Sequence, residues 1–174
     1  MMKNSSQKEQ LENMMKRPIP RKRVEIIRLR MVRESRMLYG MYRFSKPEEA
    51  VDMVRPLFAM ADREMMLVMS LNTRLEPLAV EIAAVGGLNA CSVDSRDIFK
   101  HAVLNNAAFI VCFHNHPAGD PEPSQPDQQI TTRLEKAGRI LGIPLIDHII
   151  IGEDDFYSFR EHGQIHMAKP DDAA

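Results

Sequence analysis

Apolar and polar residues recur along this chain with two periods, and the switches between them predict interleaved strands and helices. Residues 1 to 20 are polar and end in Pro18-Ile19-Pro20, which predicts a flexible N-terminal arm. Over 23–32, Val24, Ile26, Leu29 and Met31 alternate imperfectly with charge, as in an exposed strand with a slip near Ile27. A helix is expected from Pro47, with Ser45 as cap and Glu48 as its capping-box partner. Val51, Val54, Leu57 and Phe58 form its apolar stripe, and Pro56 can kink or shorten it. Residues 64–71 and 75–85 read as a hairpin turning at Asn72-Thr73-Arg74 and broken by Gly86-Gly87.

Asp94 caps a helix over 95–105, with Ile98, Ala102 and either Phe99 or Val103 facing inward. The apolar run 107–113 predicts a buried strand. After a proline-rich loop, Ser124 caps a helix to Leu141 that turns Ile130, Leu134, Ala137 and Leu141 inward, and Gly142 stops it. Residues 143–151 form another core strand, its period disturbed by Pro144 and Asp147. A short edge strand is expected at 156–159, and the chain from His162 is expected to be loosely held. The prediction is a single α/β domain over 21–163, a mixed sheet flanked by helices, followed by a loose tail at 164–174.

Composition narrows the class. At 174 residues the chain can bury one hydrophobic core, and 44% apolar with 27% charged residues is ordinary for a globular protein. A formal net charge of -1 predicts no general affinity for nucleic acid or an anionic membrane. The segment 16–36 differs, with nine Lys or Arg against two Glu. It could meet nucleic acid or an acidic protein, but it lacks the interleaved aromatics expected of a stacking surface, and a solvated face is the simpler reading. Cys91 and Cys112 match no metal or disulfide framework, so a reducing, cytoplasmic compartment fits. The opening residues lead into no apolar stretch, so neither a signal peptide nor a membrane span is expected.

The chemistry is concentrated after the strand at 107–113. There the chain reads His114-Asn115-His116-Pro117 and continues to Ser124-Gln125-Pro126-Asp127. Residues two apart on a strand share a face, so His114 and His116 can converge on one ion if the extended backbone persists, and Pro117 disfavours helix at His116. Asn115 then points away and can fix the loop. Two imidazoles and a carboxylate are a normal shell for catalytic zinc, with a fourth position left for water. Asp127, in the first turn of the next helix, is the natural third ligand. Ser124 and Asp127 also fit an ordinary helix cap, which does not compete with ligation.

These residues resemble the JAMM (MPN+) metalloprotease signature, His-x-His-Pro followed by Ser-x-x-Asp. More narrowly, the chain is similar to the RadC-like JAB-domain family over about 48–163, through Gly86-Gly87-Leu88-Asn89, residues 95–100, Asn106-Ala107-Ala108 and 145–152. The resemblance implies the JAB/MPN (cytidine-deaminase-like) fold and a zinc-dependent metallopeptidase hydrolysing a peptide or isopeptide bond. It assigns His114, His116 and Asp127 as zinc ligands, Glu64 as general base and Ser124 as stabiliser of the oxyanion. Ala118 departs from the serine that many relatives carry, outside the proposed shell. Longer relatives carry an N-terminal helix-hairpin-helix region associated with DNA binding, for which the upstream stretch here is too short.

Other readings stand beside this one. Glu81 is the alternative base, and Glu122 sits in a loop expected to be mobile. Asp147-His148 could orient a ligand, although for His148 a plain hydrogen-bonding role at the rim of a strand is favoured. His101 belongs to a helix, and His162 and His166 to the tail, so none is expected at the site. Cys112 shares the facing of His114, which allows a Cys/His nucleophilic pair, but its apolar neighbours speak against a reactive thiol. From another class, the domain could be a catalytically silent, metal-stabilised module binding nucleic acid or protein. Exposed strand edges could bind an extended peptide or a second copy in a homodimer.

Overall fold

A computed structural model describes residues 46–86 and 94–166, together with residues 8, 9, 12, 13, 16 and 32. The chain divides into two units, Met1–Arg36 and Met37–Ala174. In the first, residues 8, 9, 12 and 13 are helical, and the Lys8 ammonium lies 4.0 Å from the Glu12 carboxylate one turn on. The strand expected at 23–32, most of the arm and of the basic stretch 16–36, Ser45, Gly87, Cys91 and the tail from 167 lie outside the described residues.

The first described element of the second unit is helix α1 (Pro47–Phe58). A proline ring is pre-shaped for a first helical turn, where its missing N–H is not needed. Lys46 precedes it, and the Lys46 N–H donates to the Glu49 carboxylate at 3.4 Å, so the acidic partner is Glu49 rather than Glu48. Ala50, Val51, Val54 and Phe58 are buried, whereas Leu57 is exposed. Burying each of the larger three is worth roughly 1.5–3 kcal/mol.

Strands β1 (Met65–Leu71) and β2 (Pro77–Val85) form the expected antiparallel hairpin. Asn72 builds its turn, its side-chain oxygen accepting from the N–H groups of Arg74 (2.8 Å) and Glu76 (3.0 Å). Asp94 caps α2 (Ser95–Leu104) by accepting from Arg96 N–H, and Phe99 rather than Val103 is the residue turned inward. Then follow β3 (Phe109–Asn115), α3 (Gln125–Leu141), β4 (Leu145–Ile151) and β5 (Phe156–Ser158). Gly142 ends α3 in the left-handed conformation, as expected of a glycine stop.

The five strands lie in the order β2-β1-β3-β4-β5. Of the neighbouring pairs only β3 and β4 run parallel, joined by the helical crossover α3, while α2 carries the chain from β2 past β1 to β3. Strand β3 is central and buried on both faces, which is why its sequence is continuously apolar. Helix α1 packs on one face against Leu67, Met69, Val111 and Phe113. On the other, α2 and α3 pack against Met66, Val68, Ile110 and Cys112. This is the mixed, helix-flanked sheet expected from the sequence.

Two expectations change. On α3 Leu134 is buried and Ile130 and Ala137 pack against the core as expected, but Thr131 and Gly138 are buried beside them and Leu141 is exposed. A side chain at Gly138 would start 2.6 Å from the Ile143 carbonyl, which explains why the smallest residue faces the sheet. The segment from His162, expected to be loose, instead turns back and buries Ile165 in the core. Among the described residues no helix is long and apolar enough to cross a membrane.

Candidate metal centre

The carboxyl end of a central parallel strand is where open α/β sheets place their ligands. Here β3 runs through His114 to Asn115, and the N–H of His116 still donates to Ile151 O at 3.0 Å. The extended backbone therefore persists to the second histidine. Both imidazoles project to the face covered by α2 and α3, and the first turn of α3 brings Asp127 to the same place.

His114 Nε2 lies 3.1 Å from His116 Nε2 and 3.2 Å from an Asp127 carboxylate oxygen, and the other Asp127 oxygen is 3.5 Å from His116 Nε2. The three potential ligand atoms lie within 4.8 Å of one another. Bonds of about 2.1 Å arranged tetrahedrally put neighbouring ligand atoms about 3.4 Å apart. The spacing fits.

Protonation fits as well. His116 Nδ1 is 2.8 Å from the Asp120 carbonyl, which can only accept, so that nitrogen carries the proton. A neutral His116 then turns a lone pair toward His114 and Asp127. Without a cation, a proton can take its place: the Asp127 hydrogen bond raises the His116 pKa against the opposing effect of partial burial. For Asp127, burial pushes the carboxyl up, but its side-chain neighbours His114, His116 and Ser124 outweigh it and hold the group well below the carboxylate range.

Ser124 is tied to the same carboxylate. Its N–H and its hydroxyl both donate to Asp127 Oδ2, at 2.8 and 2.5 Å, while Asp127 N–H returns a long bond of 3.4 Å to the hydroxyl. The capping box that starts α3 therefore also orients the carboxylate.

Glu64 directly precedes β1. In the antiparallel β1/β3 register Met66 pairs with His114, so Glu64 stands two residues before that pair, at the end of the sheet where His116 follows β3. Its charge is felt at His116. Asn115 fixes the main chain on either side of it, accepting from Met65 N–H at 2.8 Å and donating to Arg63 O at 3.2 Å. The loop-fixing role expected of Asn115 thus falls on the approach to β1. Glu81 is elsewhere: it pairs with Val68 in mid-sheet and forms an ion pair with His101.

Of the Asp147-His148 pair it is His148 that reaches the site, against the plain rim role favoured for it. His148 is fully buried and reaches His114, with Nε2 2.9 Å from His114 Nδ1 and Nδ1 2.6 Å from Thr131 Oγ1. Burial, reinforced by the neighbouring His114, holds its pKa well below the usual value. Asp147 lies on the opposite face, where its carboxylate accepts from Ser158 Oγ (2.6 Å) and Arg160 N–H (3.0 Å). Thr131 was missed altogether; its only signal was a polar residue on the inner face of an amphipathic helix.

The Cys/His nucleophile is overturned. Cys112 is completely buried, and burial followed by the charge of Asp147 pushes its thiol strongly upward. His162 stacks on Tyr157 and bonds Ser158 O, apart from the cluster.

A family model described as the RadC-like JAB domain matches residues 44–164. A UPF0758 protein from Listeria monocytogenes serotype 4b is 46% identical over 117 residues, covering 67% of this chain and 52% of the relative. One from a Geobacillus species is 40% identical over 134 residues, covering 76% of this chain and 59% of the relative. The chain spans little more than half the length of these curated relatives, whose names state no activity. The match takes in every described strand and the whole cluster at the end of β3, and the chain belongs to the RadC-like JAB-domain family.

Proposed function

We propose that the protein is a zinc-dependent hydrolase of peptide or isopeptide bonds. His114, His116 and Asp127 would be the ligands, with Glu64 and Ser124 acting on water and substrate. The observation that carries this reading is the meeting of two imidazole nitrogens and a carboxylate at ligand spacing, at the end of the central strand. A shell of three protein ligands leaves room for a reactant, whereas a closed four-ligand shell would serve only the fold.

Zinc held there supplies a Lewis acid, which makes water nucleophilic near neutral pH and polarises a carbonyl. Glu64, whose main-chain neighbours Asn115 holds, would take the proton of the attacking water and pass it to the departing amine. Ser124 turns its hydroxyl proton from Asp127 Oδ2 toward the oxygen on which negative charge develops.

The decisive experiment pairs metal analysis of native protein with peptide-library cleavage by wild type and Glu64→Gln. The variant should keep its zinc and lose roughly 100- to 10,000-fold in turnover, the range typical of a general base. Equal turnover in the two proteins would remove Glu64 from the reaction.

A further inference from the structure

We propose that Thr131 and His148 are positioning residues that decide which nitrogen of His114 faces the metal, an inference resting on the reading of His114, His116 and Asp127 as ligands. The chain of bonds has only one consistent direction. Thr131 Oγ1 lies 2.6 Å from the main-chain oxygen of Asp127 and 2.6 Å from His148 Nδ1. A carbonyl oxygen can only accept, and a hydroxyl has one proton. That proton goes to Asp127 O, so the hydroxyl oxygen accepts from His148 Nδ1–H.

A neutral imidazole carries one N–H, which leaves His148 Nε2 with its lone pair. That lone pair lies 2.9 Å from His114 Nδ1, so His114 Nδ1 holds the proton. The lone pair of His114 is thereby set on Nε2, the nitrogen that faces His116 and Asp127. The reverse direction would leave the Asp127 carbonyl 2.6 Å from an oxygen with no proton between them.

The path also closes on itself. It starts at the main-chain carbonyl of Asp127 and ends at a histidine beside the Asp127 carboxylate. The first turn of α3 thus supplies one ligand directly and orients another through two intermediaries. Every member from Thr131 to His114 is buried, so water has little access to substitute for a missing link. His148 is further clamped by Phe159, whose ring stacks on it with centroids 5.1 Å apart.

The test uses the full chain labelled with ¹⁵N-histidine, stripped of metal, with two-bond ¹H–¹⁵N correlation near neutral pH. His114 and His148 should both appear as Nδ1–H tautomers. Thr131→Val keeps shape but removes the acceptor, and should move both toward Nε2–H; Thr131→Ser should restore the wild-type pattern. Zinc competition against a chromophoric chelator should show about 10- to 100-fold weaker binding for Thr131→Val and near wild-type binding for Thr131→Ser.

An Nε2–H tautomer at His114 in the wild type would overturn the proposal. So would a Thr131→Val protein unchanged in both tautomer and zinc affinity. Correct tautomers in a wild type that takes up no zinc would uphold the relay and refute the metal reading instead.

Discussion

Gly152→Ala is the substitution that best tests whether the frame of the fold holds the site. Gly152 follows β4, and a Cβ there would lie 2.3 Å from the Gly119 carbonyl oxygen and 2.9 Å from Pro121 Cδ. A carbon–oxygen contact needs about 3.3 Å, so the 119–121 loop must retreat by roughly 1 Å. That loop is docked by Glu153 N–H on Gly119 O (3.0 Å) and joined to the site by Gly119 N–H on His116 O (2.9 Å). It also carries the Asp120 carbonyl that receives the His116 Nδ1 proton at 2.8 Å. A shift of that size along the bond carries it beyond the hydrogen-bond range of about 3.2 Å. Overpacking should cost about 1–3 kcal/mol in urea denaturation, and loss of the partner of His116 should weaken zinc about 10- to 100-fold by chelator competition. Gly142→Ala is the control, because its φ of 68° is strained for alanine yet nothing lies within 4 Å of the added carbon. It should lose about 1–2 kcal/mol and keep its zinc affinity. If Gly152→Ala loses stability but binds zinc like the wild type, the loop does not position His116 and the reasoning fails.

Two further outcomes follow from the same geometry. Asp127→Asn removes the carboxylate that meets His114, His116 and Ser124, so on the proposed reading zinc retained after dialysis should fall at least about 10-fold; undiminished occupancy would take Asp127 out of the shell. Burial raises the Asp147 carboxyl from 3.8 to about 6 in the folded protein, the bonds from Ser158 and Arg160 only partly opposing it. Because the folded value is the higher one, this group's contribution to stability is full below pH about 4 and is lost as pH rises through about 6, in all about 3 kcal/mol. The stability of wild type minus that of Asp147→Asn should decline by that order between pH 4 and 7 in denaturant titrations, and parallel curves would refute the assignment.

What could be read from the sequence was local. The Ser124 cap, the Gly142 stop, the turn at Asn72 and the pairing of His114 with His116 each depend on a few neighbouring residues, and each stands where local chemistry put it. Asp127 was legible for the same reason, since a capping box fixes where the first turn of a helix directs its carboxylate. Misreadings began where two distant segments had to meet. On α3 hydrophobicity finds Ile130, Leu134 and Ala137 but not Thr131, which turns inward where its hydroxyl meets His148, a residue of another element. The tail was judged by its polarity, but one apolar residue, Ile165, is enough to pin it to the core.

That His148 rather than Asp147 reaches His114 has a single mechanical cause. Neighbouring strand residues face opposite ways, so only one of the two can reach the site, and the register of β4 decides which. Along β3, Ile110 pairs with Leu145 but Val111 pairs with Asp147, so Ile146 is an extra residue in the ladder. Leu145 faces α2 and α3, while Ile146 lies on the α1 face. Regular alternation from Leu145 would have sent Asp147 to the side of His114 and left His148 under α1. The bulge exchanges them: the imidazole is delivered to His114, and the carboxylate is left to Ser158 and Arg160. One unpaired residue therefore determines whether His114 is backed by a neutral ring or by a negative charge. With a carboxylate there the cluster would gain a second anion, and any cation held there would be gripped more tightly and be a weaker Lewis acid.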